Sequence, residues 1–372
     1  MTRHPTTLHL APAHVATDTR VFWKECVSLR DAGWRVTIVA LHDRDEDLDG
    51  IRIVGLRRGK GSWGRLRNLA HVVRTILRNR TDVIHVHDIE ILPVAIVLGL
   101  VGRKVIVDFH EDYPLLVESR SYIPKRLRRT AAWTVRLLEG LVVRVSSAVI
   151  SAEDTGAQRF GKRHVAVLRN YVLDSEIELM ARSEPDVRAR ACVYVGAVSR
   201  ERGLLEMVGA IERAGSDIEL RLIGEMPADL RAEVMATGGA QQLRYYGRCD
   251  RARTCEVLVG SAVGLVIWHP TPKHAGGAVP VKLFEYMAAG LPVIASDFPE
   301  IRAVVEPAGA GFLVDPFDVD ALAAHMRWMV DHPEEARALG MRGRQSVLDR
   351  YTWSSQVPTL LGVYEALQEL EP

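Results

Sequence analysis

Lys282 and Glu285 stand three residues apart within the run KHAGGAVPVKLFEYMAAGLPVIASDFPE, residues 273–300. That spacing puts both on one helix face. A Gly276-Gly277 loop and Pro280 precede them, Gly290 and Pro292 follow, and Val293-Ile294-Ala295 begins an apolar run. The pattern predicts a helix over 281–289 that Gly290 ends and Pro292 keeps from continuing, then a buried strand. A lysine in the first turn of a helix, beside unpaired N–H groups, suits a phosphate. A carboxylate on the same face suits a vicinal diol such as a ribose. Gly276, Gly277, Lys282, Leu283 and Glu285 are therefore candidate contacts for a nucleoside-diphosphate sugar. The competing reading is a capped surface helix with an i, i+3 ion pair.

A second loop, GAVSRERG at 196–203, joins a strand to a helix. Gly196 allows a tight turn or a close backbone approach. Arg202 at the start of a helix is unfavourable unless an anion is bound there, which makes it a diphosphate candidate. Arg200 reads as solvated. The loop lacks the G-x-G-x-x-G spacing of a dinucleotide site, and the chain has no Walker A sequence.

Histidines and acids collect at strand ends. Residues 83–87 read as a strand ending in His85, His87 and Asp88. Residues 104–110 read as another, ending in His110, Glu111 and Asp112. His14 and Asp18 lie in the loop after the first strand. Ligands of open parallel sheets sit beyond the carboxyl ends of the strands, so the fold gathers these residues on one rim. His14, Asp18, His87, Asp88 and Glu111 are candidate acceptor contacts, and His110 a candidate for contacting sugar hydroxyls or positioning the acceptor. Asp18 reads equally as the N-cap of the next helix. His85 and His87 share a sheet face, a two-ligand metal spacing that His110 or Asp112 could complete.

The string P-V-K-L-F-E-Y-M-A-A-G-L-P-V-I-A-S-D, residues 280–297, resembles the donor-binding segment of glycosyltransferase family 4. Those enzymes have the GT-B fold, use nucleotide sugars and retain anomeric configuration. The resemblance spans nearly the whole chain and is concentrated in 191–316. It implies that Glu285 matches the second of the family's two glutamates, while Gly277 stands where the first would be. It implies that Arg202 matches the basic residue on the donor diphosphate, while Ala197 replaces a frequent second arginine. D-F-H-E-D-Y, residues 108–113, is similar to the segment that brings a histidine to the donor sugar. H-V-H-D-I-E, residues 85–90, is similar to an acceptor-side region of some members. The loop 13–18 lacks the glycine pair of many relatives. No catalytic metal and no bound cofactor is implied.

Strand and helix alternate throughout, which predicts α/β structure with parallel sheets. The expected arrangement is the GT-B one: two doubly wound Rossmann-like domains facing a cleft, with a final helix crossing back. Residues 1–172 form the expected acceptor domain, 173–352 the donor domain and 353–372 the returning helix. Residues 170–183 read as the link.

The 372 residues suffice for two cores. Four scattered cysteines, Cys26, Cys192, Cys249 and Cys255, suggest neither a disulfide framework nor a zinc site. No signal-peptide pattern opens the chain, and the longest apolar run is too short to span a bilayer. These features predict a cytoplasmic protein. Net charge is near zero, yet residues 1–170 carry about +10 and residues 171–372 about −9. The predicted helix at 125–145 is basic and carries Trp133, which suits the surface of an anionic membrane; a solvated face is the plain alternative. Nucleic acid is disfavoured, because no aromatic or recognition-helix pattern accompanies the charge. The expected partners are a nucleotide-sugar donor and a sugar, lipid-linked or small-molecule acceptor. Rival functions are a sugar-nucleotide epimerase and a non-catalytic nucleotide-sugar-binding subunit.

Overall fold

The computed structural model of the protein describes residues 4–59, 61–119, 123–161, 165–183, 185, 187–271 and 279–369. The chain divides into two units, residues 1–170 with 356–372, and residues 171–355.

The first unit is built on β1 (Thr6–Val15), β2 (Arg35–Leu41), β3 (Glu46–Leu48), β4 (Ile51–Leu56), β5 (Val83–Val86), β6 (Val105–Phe109), β7 (Ala148–Ser151) and β8 (Val165–Val167). Their order across the sheet is β3-β4-β2-β1-β5-β6-β7-β8. All pairings are parallel except β3 with β4. All four residues of β5 and of β7 are buried, as expected for strands covered on both faces. The strand order reverses between β1 and β5, the position at which such sheets hold ligands. His9 and His85 are register partners across that pair. Period-two alternation then places His87 on the same face.

The second unit holds β9 (Ala191–Val195), β10 (Glu219–Ile223), β11 (Leu243–Gly247), β12 (Val263–Val266), β13 (Val293–Ser296) and β14 (Gly311–Val314). They form a parallel sheet in the order β11-β10-β9-β12-β13-β14. Its reversal lies at β9/β12, so the loop after β9, which carries Gly196, sits at the switch point.

Three local features depart from the sequence reading. The helix expected after Asp18 begins as a π-helix, Thr19–Cys26, and becomes α-helical only over Val27–Asp31. The wide turn buries Arg20, Lys24 and Glu25 beside Val21, Phe22 and Cys26. The short edge strand β3 went unread, because three polar-rich residues carry no period. Residues 170–183 are not a plain link. They contain the helix Asp174–Arg182, whose Ile177 and Met180 are buried in the core of the second unit. Its acidic first turn masked that apolar pair.

The helix Val357–Glu369 belongs to the first unit. Its Tyr364 is fully buried, and the hydroxyl lies 2.9 Å from His85 Nδ1, 3.1 Å from His9 Nε2 and 3.3 Å from Thr7 Oγ1. Among the described residues no helix is long and apolar enough to cross a membrane. All four cysteines are free.

Glu139, on the helix Lys125–Val145, gives the first unit a pH dependence. Its side chain is buried, with Arg159 Nη2 3.0 Å from Oε2 and no hydrogen-bond partner at Oε1. Burial pushes its pKa up to about 7, against the pull of Arg159. A carboxyl raised on folding contributes stability that is complete below its unfolded value and lost as pH rises through the folded one. Wild-type protein should therefore lose stability between about pH 4.5 and 7, and Glu139→Gln should lose less over the same interval. Urea midpoints at both ends of the interval check this.

Candidate active site

In the second unit, β9 ends at Val195 and the chain turns at Gly196, with φ +123°. The turn is held from beneath. Tyr286, wholly buried on the helix Val281–Ala288, accepts a hydrogen bond from Val195 N–H at 2.7 Å. One turn back on that helix is Lys282, also buried. A Cβ on Gly196 would lie 3.0 Å from Lys282 Nζ and 3.9 Å from Arg202 Nη1, so both cations converge on this glycine. Lys282 Nζ stands 3.6 Å from the centroid of the Tyr194 ring. The ring face attracts the ammonium but gives it no acceptor. Nζ has no hydrogen-bond partner among the described residues. Burial, and then the nearby Arg202, hold its pKa well below the ordinary lysine value. Arg202 Nη1 donates to Ala197 O at 3.2 Å. Two cations with almost no counter-charge flank a backbone turn that has no side chain in the way. That arrangement suits a bound anion.

Gly196→Ala tests the turn. A non-glycine residue at this φ is strained by about 1–3 kcal/mol, and the methyl would press on Lys282 Nζ. The variant should show a lowered urea midpoint and weaker diphosphate binding together.

Glu285 does not pair with Lys282. Its Oε1 accepts from Arg251 Nη2 at 2.7 Å, and Arg251 also bonds Glu176. Burial opposes the charge on Arg251, but Glu285 and Glu176 overcome it and raise its pKa. The chance i, i+3 pair is therefore not formed, and the helix is not a surface helix: Lys282, Leu283, Phe284, Tyr286, Met287 and Ala288 are all buried. Leu283 is a core residue. Gly276 and Gly277 lie outside the described residues.

In the first unit the histidines meet where β1, β5 and β6 run side by side. His9 Nδ1 lies 2.9 Å from His87 Nε2, His87 Nδ1 lies 3.3 Å from His110 Nε2, and His110 Nε2 lies 2.9 Å from Asp108 Oδ2. Burial keeps His9 and His85 well below the usual histidine value and brings His87 down to about 4. Asp108 is gripped by Arg20 through Nε at 3.2 Å and Nη2 at 2.9 and 3.0 Å. Burial opposes ionisation of Asp108, but Arg20 and His110 overcome it and hold the carboxyl well below its usual range. Glu25 is pushed the other way by burial and by Asp108. With Nε2 donating to Asp108, His110 keeps Nδ1 as a hydrogen-bond acceptor. The His110 side chain is 15% exposed, while those of Asp108 and His87 are wholly buried.

His14 pairs with Asp88 at 3.0 Å, which raises its pKa against burial, and Ala13 N–H also donates to Asp88. The His14 and His110 rings meet edge to face at 5.5 Å. Asp18 caps the π-helix, accepting from Arg20 N–H and Val21 N–H at 2.9 and 3.0 Å. Glu111 is exposed beyond β6. Asp112 is bound by Arg159 at 2.6 Å.

Several participants escaped the sequence reading: His9, Arg20, Glu25 and Asp108 in the first unit, Tyr194, Glu176 and Arg251 in the second. A usable signal did exist for Arg20 and Glu25. They are charges spaced among Val21, Phe22, Cys26 and Leu29, on the side of the helix that must face the core.

Two family models match the chain side by side. "Glycosyl transferase 4-like domain" matches residues 19–172 and "Glycosyl transferases group 1" matches residues 176–346. Among curated relatives, the MMP alpha-(1->4)-mannosyltransferase of Mycolicibacterium hassiacum is 28% identical over 197 residues, 52% of this chain and 47% of that protein. The phosphatidyl-myo-inositol mannosyltransferase of Mycolicibacterium smegmatis is 27% identical over 182 residues, 48% of this chain and 45% of that protein. The chain thus spans about half the length of the curated relatives it matches. Among solved structures, Anabaena HepE in complex with UDP-glucose superposes with a TM-score of 0.72 at 15% identity, covering 99% of this chain and 100% of that one. The two sheets, the paired family matches and these relatives agree: the chain belongs to glycosyltransferase family 4, of GT-B fold.

Proposed function

We propose that this protein transfers a hexosyl group from a nucleoside-diphosphate sugar to an acceptor hydroxyl with retention, in the assembly of an envelope glycan or glycolipid. The observation that carries the proposal is Lys282: a buried ammonium without an acceptor, converging with Arg202 on Gly196. The donor diphosphate supplies the missing counter-charge. As the bond from C1 to the diphosphate oxygen breaks, negative charge grows on the leaving group, and Lys282 and Arg202 stabilise it. The acceptor oxygen bonds to C1, and its proton passes to the departing phosphate oxygen. Glu285, oriented by Arg251, accepts from a donor hydroxyl. His110 holds a sugar hydroxyl through Nδ1, with Asp108 and Arg20 fixing the ring.

The acceptor belongs to the first unit, where His14, His87, Asp88 and Glu111 gather. A lipid-linked acceptor is favoured over a small soluble metabolite by the helix Lys125–Val145. Leu127, Trp133, Leu137 and Leu141 are 46–61% exposed along it, among Arg126, Arg129 and Arg136. An apolar stripe flanked by arginines fits an anionic bilayer surface and supports a peripheral position at the cytoplasmic face.

The test is a panel of UDP-, GDP-, dTDP- and ADP-sugars against lipid-linked and soluble acceptors, with product anomers read by NMR. The expected result is an α-linked product from an α-linked donor. Inversion would overturn the retaining mechanism. Epimerised donor without transfer, or binding without turnover across the panel, would overturn transfer itself.

A further inference from the structure

Glu25 is the anomaly of the first unit. Its carboxylate is wholly buried, and neither oxygen has a hydrogen-bond partner among the described residues. Arg20 Nε lies 3.1 Å from Oε1, but its hydrogen bond goes to Asp108. The other oxygen, Oε2, is 3.9 Å from His87 Nδ1. That nitrogen is in turn 3.7 Å from Asp108 Oδ2 and 3.3 Å from His110 Nε2, and the last two atoms are 2.9 Å apart. Glu25, His87, Asp108 and His110 can each offer one such atom, all within 4.8 Å of one another. In a tetrahedral site with metal–ligand bonds of about 2.0–2.1 Å, neighbouring ligand atoms are about 3.3 Å apart. The four measured separations straddle that value.

The geometry points to a divalent transition-metal site, of zinc type, made by Glu25 Oε2, His87 Nδ1, Asp108 Oδ2 and His110 Nε2. Two imidazoles and two carboxylates form a borderline N2O2 donor set that suits zinc or cobalt better than magnesium or calcium. The surroundings supply what metal ligands need behind them. His87 Nε2 is held by His9, whose other nitrogen meets the Tyr364 hydroxyl, so the ring that would bind the ion is fixed from its far side. Asp108 takes Arg20 Nη2 on Oδ1 at 3.0 Å, and Arg20 also reaches Oδ2 through Nε at 3.2 Å and Nη2 at 2.9 Å, so an ion on Oδ2 would share that oxygen with the arginine. His110, the one partly exposed member, marks the side from which an ion would enter. The sequence spacing allowed His85 and His87 as two metal ligands, although the family resemblance implied no catalytic metal. The structure instead gives His85 Nδ1 to Tyr364 and Asp112 to Arg159, and substitutes Asp108 and Glu25. Lys282 and Arg202 take no part in the site, so it rests on different observations from the diphosphate reading. It shares His110 with the proposed sugar contact, the ion on Nε2 and the sugar hydroxyl on Nδ1.

Protein without an affinity tag, stripped with chelating resin, is titrated with Co2+ and followed by its visible d–d absorption. Zinc content is measured before stripping. The expected result is an intense tetrahedral cobalt spectrum saturating at one equivalent, displaced by Zn2+. Glu25→Gln and His110→Ala should each weaken cobalt binding by more than about 100-fold, while Asp112→Asn should bind as wild type. A cooperatively folded wild-type protein that gives no cobalt spectrum overturns the proposal and leaves Glu25 as a buried neutral acid. A stoichiometric ion that survives both substitutions also overturns it. Should Glu25→Gln fail to fold, His110→Ala, at the edge of the cluster, decides.

Discussion

Lys282→Ala lowers kcat/KM for sugar transfer by about 100- to 1,000-fold, the effect of removing one preorganised donor to a developing negative charge. The same substitution does not destabilise the nucleotide-free protein as a large buried truncation ordinarily would. An ammonium buried without an acceptor opposes folding, and deleting it offsets part of the packing lost from the aliphatic stem. Lys282→Met keeps the stem and should be at least as stable as wild type while sharing the loss of activity. The depressed pKa gives this a pH signature. A lysine lowered on folding weakens the folded state fully below its folded value, and the penalty is relieved as pH rises from there to the unfolded value. The advantage of Lys282→Met over wild type should therefore shrink as pH rises toward the ordinary lysine value. Thermal melts across the alkaline range, paired with initial rates, check both parts. Equal activity in the methionine variant would remove Lys282 from the mechanism.

Arg20→Ala lowers stability by about 3–5 kcal/mol, because it strips the cation from two buried carboxyls. Arg20 is 5% exposed and reaches Asp108, Glu25 and the carbonyl of Leu168. With the arginine gone, Asp108 stays ionised in a dry site or takes up a proton, and both outcomes penalise the fold. Asp108→Asn in the same chain should recover part of the loss, since the uncompensated charge is then absent. Lysine at position 20 should serve poorly, because it cannot make the forked contact to Asp108. Urea midpoints of the single and double variants measure the coupling. An Arg20→Ala variant within about 1 kcal/mol of wild type would mean that Asp108 finds another partner.

How much of this was legible in the sequence follows from range. The Val281–Ala288 helix, its Gly290 stop and the following strand are set by neighbours within a few residues, and they stand close to where the spacing put them. The parallel sheets follow from the same alternation. What Lys282 and Glu285 do was not local. Arg251, 34 positions upstream, takes Glu285, and Tyr194 and Gly196 shape the place of Lys282. Asp18 could be read two ways from sequence, and the structure uses it as a helix cap. The histidine cluster was half legible. Period-two alternation marks His85 and His87, but His9 joins them only through the β1–β5 register, and Glu25 only through a π-helical turn that has no sequence period of its own.

Calorimetric titration with UDP, UMP and uridine, and with the GDP, dTDP and ADP series, tests the central claim most directly, run on wild type and on Lys282→Met. The diphosphate reading predicts that one diphosphate binds far tighter than its monophosphate and nucleoside. It also predicts that this preference falls away in the variant. Equal affinity for diphosphate, monophosphate and nucleoside, or diphosphate binding unchanged in Lys282→Met, would contradict it.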